Sequence, residues 1–263
     1  MKNKRLNKNE KVKIKELTIA GKSLREVSQS TGFGITTIYY HTRKFKSKQI
    51  KEFLITLSEE KIGELMGAFA GDGSYYYSHH GRSGHHRVRY SLSLLKDKEY
   101  AEYLIGLLKK LNLNSFLFRK EKDNAIEVAV NSKKYIEFIR EFLIWEGKKS
   151  YSVRLKNNFN TYNKKFLIGF ARGLMDTDGF IEVSNVSCGC ISERLIKNIL
   201  DIFDAFGIKY KFSERIRNGR RNLFLVRVYR ESLSDYAKII GFSNRYKRER
   251  LQKIIKWNGV GRI

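Results

Sequence analysis

The sequence predicts an α+β protein in which two similar units follow one another, preceded by a small all-α unit. The repeat is indicated by an apolar stretch ending in Asp-Gly, which occurs at residues 60–76 and again at 166–183. Each copy is followed by the same order of strand-like and helix-like segments, which predicts an αββαββα unit in each case. The N-terminal residues have a helical pattern with turn signals of their own. We therefore expect a helical unit at 1–46, a linker at 47–57, and two lobes at 58–160 and 161–263.

The charge of the chain indicates a polyanionic partner. Its 263 residues include 53 lysines and arginines against 27 aspartates and glutamates, giving a net charge of +26. Such an excess of basic residues is typical of proteins that bind nucleic acid. No apolar run approaches the ~20 residues that a membrane-spanning helix needs, so no membrane partner is expected.

The protein is expected inside the cell, in the cytoplasm or nucleoid, and a location in an organelle is also compatible with the sequence. The N-terminal stretch MKNKRLNKNEK lacks the apolar core of a signal peptide. Cys188 and Cys190 stand two residues apart in a strand-like stretch, where an unstrained disulfide does not form easily. Both observations fit a reducing compartment.

Residues 9–45 are predicted to form three short helices. The second begins with the capping box Ser23-x-x-Glu26, and the third begins near Ile35. This arrangement is similar to a helix-turn-helix of the resolvase or homeodomain-like kind, in which the third helix enters the major groove of DNA. Ile38 would anchor the third helix in the core of the unit. The alternative to a helix-turn-helix is a small helical cap that makes no contact with DNA. The side chains left to face bases and phosphates are Thr36, Thr37, Tyr40, His41 and Arg43.

Small residues four apart predict a groove on each of the two apolar helices. Residues at this spacing share one face of a helix. Because glycine has no side chain, the backbone of a second helix can approach closely at that face. The glycines expected to form this lobe interface are Gly63, Gly67, Gly169 and Gly173. Asp72 and Asp178 would then lie side by side, and adjacent carboxylates repel unless cations neutralise them. The pattern therefore indicates a divalent-metal site.

The strands that follow each motif are predicted to have one apolar and one basic face. In the first lobe Arg87 and Arg89 alternate with apolar residues in a hairpin whose tip carries Arg82. The segment at 209–217 alternates in the same way in the second lobe. A solvated face would mix charge signs, whereas these faces are nearly all positive. The DNA contacts expected from the second lobe are Lys209, Lys211, Arg215, Arg217 and Arg227.

The stretches EKIGELMGAFAGDGSYY and FLIGFARGLMDTDGFIEV resemble the two signature motifs of the LAGLIDADG homing endonucleases. The resemblance covers residues 58–243. It implies a monomeric endonuclease with two lobes related by a pseudo-two-fold axis, whose sheets form a DNA-binding saddle over a long double-stranded site. It also implies hydrolysis of both strands with Mg²⁺, for which Mn²⁺ would substitute. The implied metal ligands are the carboxylates of Asp72 and Asp178 and the backbone carbonyls of Gly71 and Thr177.

The resemblance further implies a basic catalytic residue near each scissile phosphate. The candidate in the first lobe is Lys96, which follows the strand-like YSLSLL. The candidate in the second lobe is Arg194, in the stretch CGCISER. Asp176 also fits the second motif, as a structural or capping residue, and its counterpart in the first motif is Ala70.

Two other functions are compatible with the same scaffold. One is an intron maturase that binds structured RNA, and the other is a transcription regulator that binds DNA without cutting it. The presence of both Asp72 and Asp178 favours the nuclease over the regulator. It does not separate a nuclease from a maturase, so RNA stays open as a second partner.

Overall fold

The computed structural model describes residues 6–43, 52–80, 83–120 and 123–260, with only the backbone at residues 80, 83 and 258–260. The chain divides into two compact units, Met1–Glu52 and Phe53–Ile263. Among the described helices, none is long and apolar enough to cross a membrane.

The N-terminal unit contains three helices around a small core. They are α1 (Lys8–Ile19), α2 (Leu24–Thr31) and α3 (Ile35–Thr42). The predicted capping box at Ser23 and Glu26 opens α2, and a left-handed glycine, Gly32 (φ +71°), ends it. The residues just after α3, where the sequence predicted that the third helix continues, lie outside the described part of the chain. The buried core residues of the unit are Leu6, Ile14, Val27 and Ile38.

The larger unit contains two lobes with the same order of elements, which confirms the predicted α+β repeat. The first lobe consists of α4 (Glu59–Ala70), β1 (Gly73–His80), β2 (Ser83–Ser93), α5 (Lys98–Lys110), β3 (Ser115–Lys120), β4 (Ala125–Asn131) and α6 (Lys133–Phe142). The second consists of α8 (Lys164–Thr177), β7 (Gly179–Ile181), β8 (Val186–Cys190), α9 (Glu193–Ala205), β9 (Tyr210–Arg215), β10 (Leu223–Val228) and α10 (Leu233–Ile239). Each lobe has a four-stranded antiparallel sheet, with strand order β1-β2-β4-β3 in one and β7-β8-β10-β9 in the other.

Each lobe is followed by a segment that belongs to neither sheet. Between the lobes lie β5 (Leu143–Ile144), α7 (Lys149–Ser152), β6 (Arg154–Leu155) and a 3₁₀ turn at Phe159–Thr161, and α11 (Arg245–Val260) follows α10. The helical pattern of residues 133–145 predicts a helix through residue 145, but α6 ends at Phe142. The chain turns to extended backbone at Leu143 (φ −121°, ψ 143°), because Leu143 pairs with Leu155 and both side chains are buried.

Helices α4 and α8 pack against each other through their glycines. A Cβ atom at Gly63 would overlap the carbonyl oxygen of Phe166, and one at Gly67 would overlap that of Phe170. From the other side, Gly169 and Gly173 are equally close to the backbone of α4. The two helices therefore touch backbone to backbone, and one continuous core of buried apolar side chains extends through both lobes.

Candidate active site and nucleic-acid interface

The carboxyl ends of α4 and α8 bring the two Asp-Gly pairs together. A Cβ atom at Gly71 would overlap the hydroxyl oxygen of Thr177 and lie 3.2 Å from the carboxylate carbon of Asp178. Gly73 and Gly179 each have no room for a side chain, because the backbone of the preceding helical turn fills that space. Only glycine lets the chain leave the helix and enter the first strand this sharply. Asp72 and Asp178 thus lie at the junction of the two lobes.

Burial and mutual repulsion make it unfavourable for both aspartates to be ionised. Burial raises the pKa of Asp72 to about 7, and the nearby charge of Asp178 adds to the effect. Burial likewise raises the pKa of Asp178 to about 6, although Lys149 and Lys247 oppose the shift. A site where two carboxylates are held in this way gains free energy when it binds positive charge.

Two lysines reach the same helix ends from the segments that follow each lobe. The ammonium group of Lys149, on α7, donates to the carbonyl oxygens of Phe69, Ala70 and Gly71, each at 2.7 Å. The ammonium group of Lys247, on α11, lies on the equivalent carbonyls of α8: Met175 (3.1 Å), Asp176 (2.6 Å) and Thr177 (3.1 Å). Each lysine therefore neutralises the negative end of one helix dipole beside one aspartate. Burial lowers the pKa of both lysines, that of Lys149 to about 8.

Local sequence patterns do not single out these two lysines. Of the two basic residues predicted from the sequence, Lys96 is exposed in a cleft of about 240 Å³ that Thr177 and Lys247 also line. Arg194 is exposed in a cleft of about 570 Å³ beside Tyr151. The available signal was the repeat itself. A lysine follows the last helix of each lobe, in GKKSY and in NRYKR, but the match needs the lobes to be aligned beyond α6 and α10.

The donor atoms at the helix ends fit a hard divalent cation. Mg²⁺ is usually bound by one or two carboxylates together with waters, and this junction offers Asp72, Asp178 and the carbonyls of Gly71 and Thr177. Those carbonyls accept hydrogen bonds from the lysines, and each has a second lone pair. Within the described ranges no group of three or more histidines, cysteines, aspartates and glutamates is placed to hold a metal.

Asp176 has a different task from Asp178. Its two carboxylate oxygens accept the backbone amides of Asn244 (3.0 Å) and Ser243 (3.1 Å), just before α11 begins. The side chain is buried, and it ties the end of α8 to the start of the helix that carries Lys247.

A charged groove on the second lobe leads to Asp178. This groove, of about 640 Å³, is formed by the face of the sheet that points away from α9. Its basic lining residues are Lys211, Arg215 and Arg227, and its acidic lining residues are Asp178, Glu182 and Glu214. Arg227 also forms an ion pair with Glu182 (3.1 Å), and Lys209 pairs with Glu231 (3.0 Å). Arg217 lies beyond the end of β9, where its Nε donates to the carbonyl of Arg221 (2.9 Å).

The corresponding face of the first lobe also carries basic and acidic side chains. Arg87 is exposed and donates to the side chain of Asn131 (2.8 Å). Arg89 is half-buried, and its guanidinium lies 3.9 Å from Glu127, which also binds Lys120 (2.7 Å). Two exposed aromatic rings, Phe116 and Phe118, lie along the same face on the edge strand β3. Arg82 lies outside the described residues.

Helix α3 and the residue after it expose four of the five side chains that the sequence predicted to face DNA, and the fifth, His41, is half-buried. Ile38 is fully buried, whereas Thr36, Thr37, Tyr40 and Arg43 are exposed on the outer surface of the helix. The guanidinium of Arg43 lies 4.3 Å from the centre of the Tyr40 ring.

Comparison with curated proteins finds relatives of low identity. The chain is 28% identical over 200 residues to the replication factor C small subunit of Methanocaldococcus jannaschii, which covers 75% of this chain. It spans only 10% of the length of that protein. An uncharacterized protein of the same organism is 24% identical over 249 residues, covering 88% of this chain and 85% of the relative.

Comparison with solved structures finds the same fold in homing endonucleases. The structure of I-DmoI in complex with DNA and Ca matches with a TM-score of 0.57 at 15% identity, covering 74% of this chain and 98% of that one. The LAGLIDADG meganuclease I-AabMI bound to uncleaved DNA matches with a TM-score of 0.50 at 14% identity, covering 76% and 90%. The family model of the LAGLIDADG-like domain matches residues 165–241, from the start of α8 to the end of α10. The chain therefore contains a LAGLIDADG-like domain and has the fold of the LAGLIDADG homing endonucleases.

Proposed function

We propose that this protein is a site-specific endonuclease that cuts both strands of DNA with divalent metal ions. The observation that carries the proposal is the junction of α4 and α8, where Asp72 and Asp178 meet and each has a lysine beside it. The groove of the second lobe, which contains Lys211, Arg215 and Arg227, ends at this junction, so a duplex bound there would bring a phosphate to the carboxylates. The structural neighbours support this reading, since I-DmoI has been solved with DNA in the presence of Ca and of Mn.

In this proposal the aspartates and the carbonyl groups of Gly71 and Thr177 hold the metal, with Mg²⁺ as the physiological ion and Mn²⁺ as a substitute. The bound metal would supply a water nucleophile and neutralise charge on the scissile phosphate. Lys149 and Lys247 keep positive charge next to the aspartates, which stabilises the ionised carboxylates that a metal requires. They would act on the phosphate through their charge, because the three N–H donors of each ammonium bind helix carbonyls. Lys96 and Arg194 would contact the DNA farther from the reacting atoms.

The DNA would lie across both sheets as a long duplex site, bound by a monomer. Phosphates would be contacted by Lys211, Arg215 and Arg227 in the second lobe and by Arg87 in the first. Arg89 pairs with Glu127 in the first lobe as Arg227 pairs with Glu182 in the second, so in both lobes polar and apolar groups would add to the phosphate contacts. Helix α3 of the N-terminal unit would add contacts in a major groove as a helix-turn-helix. The protein would act inside the cell.

The test compares cleavage and binding in Asp72→Asn and Asp178→Asn. Each substitution removes one charge from the metal site and nearly preserves shape, so cleavage in Mg²⁺ should fall by orders of magnitude while binding in EDTA survives. Asp201→Asn on the outside of α9 is the matched control, because it makes the same change on an exposed surface. The substrate is the DNA that flanks the gene at its own locus. If the unmutated protein binds this DNA but cuts it in neither Mg²⁺ nor Mn²⁺, the endonuclease proposal is refuted and a non-cleaving transcription regulator is favoured.

A further inference from the structure

The segments that carry Lys149 and Lys247 are fastened to the opposite lobe from the helix that each lysine serves. Lys247 follows the second lobe and binds the end of α8, in that same lobe. The residue that opens its helix, Asn244, donates its side-chain amide to Asp97 (2.6 Å), which precedes α5 in the first lobe. Arg245 adds a contact to Glu99 on α5 at 3.3 Å.

The arrangement is reciprocal. Lys149 follows the first lobe and binds the end of α4, in that same lobe. The residue that ends its turn, Val153, accepts a hydrogen bond from Ser192 (2.8 Å), which caps α9 in the second lobe. Two residues on, the amide of Leu155 donates to Asn198 of α9 (3.0 Å). Asp97 and Ser192 thus hold equivalent positions, at the start of the equivalent helices α5 and α9.

The contact at Asn244 joins three elements at one buried side chain. Its amide donates to Asp97, its oxygen accepts the backbone amide of Lys247 (3.3 Å), and its own backbone amide donates to Asp176 (3.0 Å). Asn244 is 1% exposed, so water does not compete for these bonds. The position of the first turn of α11, and of the lysine on it, is therefore fixed by Asp97 of the first lobe as well as by Asp176 of the second.

We propose that Asp97–Asn244 and Ser192–Val153 are two cross-lobe latches, and that each positions one active-site lysine. Each half of the catalytic site is then held in place by the other lobe, so loss of one latch should slow the cutting of one DNA strand. This positioning role in catalysis rests on the proposed nuclease function. The geometry of the latches does not, so it can be tested without cleavage.

The decisive variant is Asn244→Asp, alone and with Asp97→Asn. The single change keeps the cap of α11 but sets two carboxylates against each other, which breaks the latch. In the double variant the amide stands at position 97 and donates to the carboxylate at position 244, while its oxygen still accepts the amide of Ser93. The double variant should therefore restore the latch with donor and acceptor exchanged. Asp97→Ala, which leaves the cap of α11 untouched, is measured beside them in case the single variant does not fold.

The first readout is the rate at which individual lysine amines are acetylated. The folded, full-length protein is labelled, and mass spectrometry of its peptides then shows which lysines have reacted. We expect Lys247 to be acetylated roughly tenfold faster in Asn244→Asp. The labelling rate follows the population of the locally open state, and loss of one hydrogen bond to a charged group raises that population by about this factor. Lys149 should not change, and the exposed Lys253 on the same helix is the internal standard. Ser192→Ala should do the reverse, exposing Lys149 and leaving Lys247 protected. Labelling of Lys247 that is unchanged in both Asn244→Asp and Asp97→Ala, or not restored in the double variant, would overturn the proposal.

The second readout resolves the two strands. On a supercoiled plasmid that carries the site, Asn244→Asp should accumulate nicked product. On linear DNA with labelled ends, the same variant should cut one strand at the normal rate and the other more slowly. Ser192→Ala should leave the nick on the opposite strand, and DNA affinity should be unchanged in both. Equal slowing of both strands would refute the positioning role. If the unmutated protein never cuts, the nuclease proposal fails, and the labelling experiment still decides whether the latches exist.

Discussion

The backbone contact between α4 and α8 makes a sharp prediction for Gly67→Ala. A methyl group at this position would overlap the carbonyl oxygen of Phe170 and lie 2.8 Å from the backbone nitrogen of Leu174. Ordinary contacts of such atoms are near 3.5 Å or longer, so the helices must separate by roughly 1 Å to admit it. Neither atom can move alone, because both belong to the main chain of α8.

The change in the free energy of unfolding that Gly67→Ala causes is the sum of two opposing effects. Alanine gains up to about 1 kcal/mol over glycine in a helix interior. Overpacking of a well-packed site typically costs about 1–3 kcal/mol, and here it is spread along a helix pair at the centre of the core. We expect a net loss of about 1–2 kcal/mol in the free energy of unfolding, since the strain exceeds the gain in propensity. Cleavage should fall more than stability does, because the separation displaces Asp72 from Asp178.

The matched control is Gly106→Ala. Gly106 is an exposed glycine in the interior of α5, and a Cβ atom there meets nothing within 4 Å. The same substitution should stabilise the protein by up to about 1 kcal/mol and leave cleavage unchanged. Urea denaturation followed by circular dichroism gives both free energies, and plasmid cleavage under single-turnover conditions gives the rates. A Gly67→Ala protein as stable as Gly106→Ala would show that the helices are not in backbone contact.

Three further predictions concern other parts of the molecule. Arg215→Ala should reduce the slope of log affinity against log salt by up to about one unit, and an unchanged slope would place the DNA elsewhere. A chain that begins at Phe53 should fold and cut but bind its site more weakly, since the N-terminal unit has its own core; loss of all cleavage in a folded shorter chain would contradict this. The hydrogen bond from Arg172 lowers the pKa of Glu60, so this pair stabilises the fold above pH ~4.5 and ceases to do so as the pH falls through the lowered value. The melting temperature of Glu60→Gln should therefore be below that of the unmutated protein at neutral pH and converge with it in acid.

The features that the sequence predicted well are those with local signals. The signature helices, their glycines and the Asp-Gly ends could be located because glycine spacing and a helix-to-strand switch are both visible within about twenty residues. The alternation along β2 likewise predicted that Val88 and Tyr90 are buried, whereas on β9 the predicted apolar residue Phe212 is exposed beside the basic residues. The partial neutralisation of Arg89 by Glu127 was not visible, because these residues meet across β2 and β4.

Lys149 and Lys247 could not be placed from local patterns. Each is separated from its aspartate by a whole lobe, and nothing in GKKSY or NRYKR distinguishes these lysines from the many others in the chain. Their position depends on how the chain crosses between lobes, through a two-residue strand pair in one case and through Asn244 in the other. Such contacts are set by tertiary packing, which overrides the helix propensity that suggested a longer α6.

The two latches differ in a way that bears on how such chains can be recombined. Ser192 donates to a main-chain carbonyl, which any residue at position 153 supplies. Asp97 instead requires a side-chain amide at position 244. A second lobe transplanted from another protein would thus accept the native α7 segment with few changes, provided that it keeps a hydroxyl at the start of its α9. A transplanted first lobe would need a carboxylate matched to Asn244, so compatibility between foreign halves is demanding in one direction and permissive in the other.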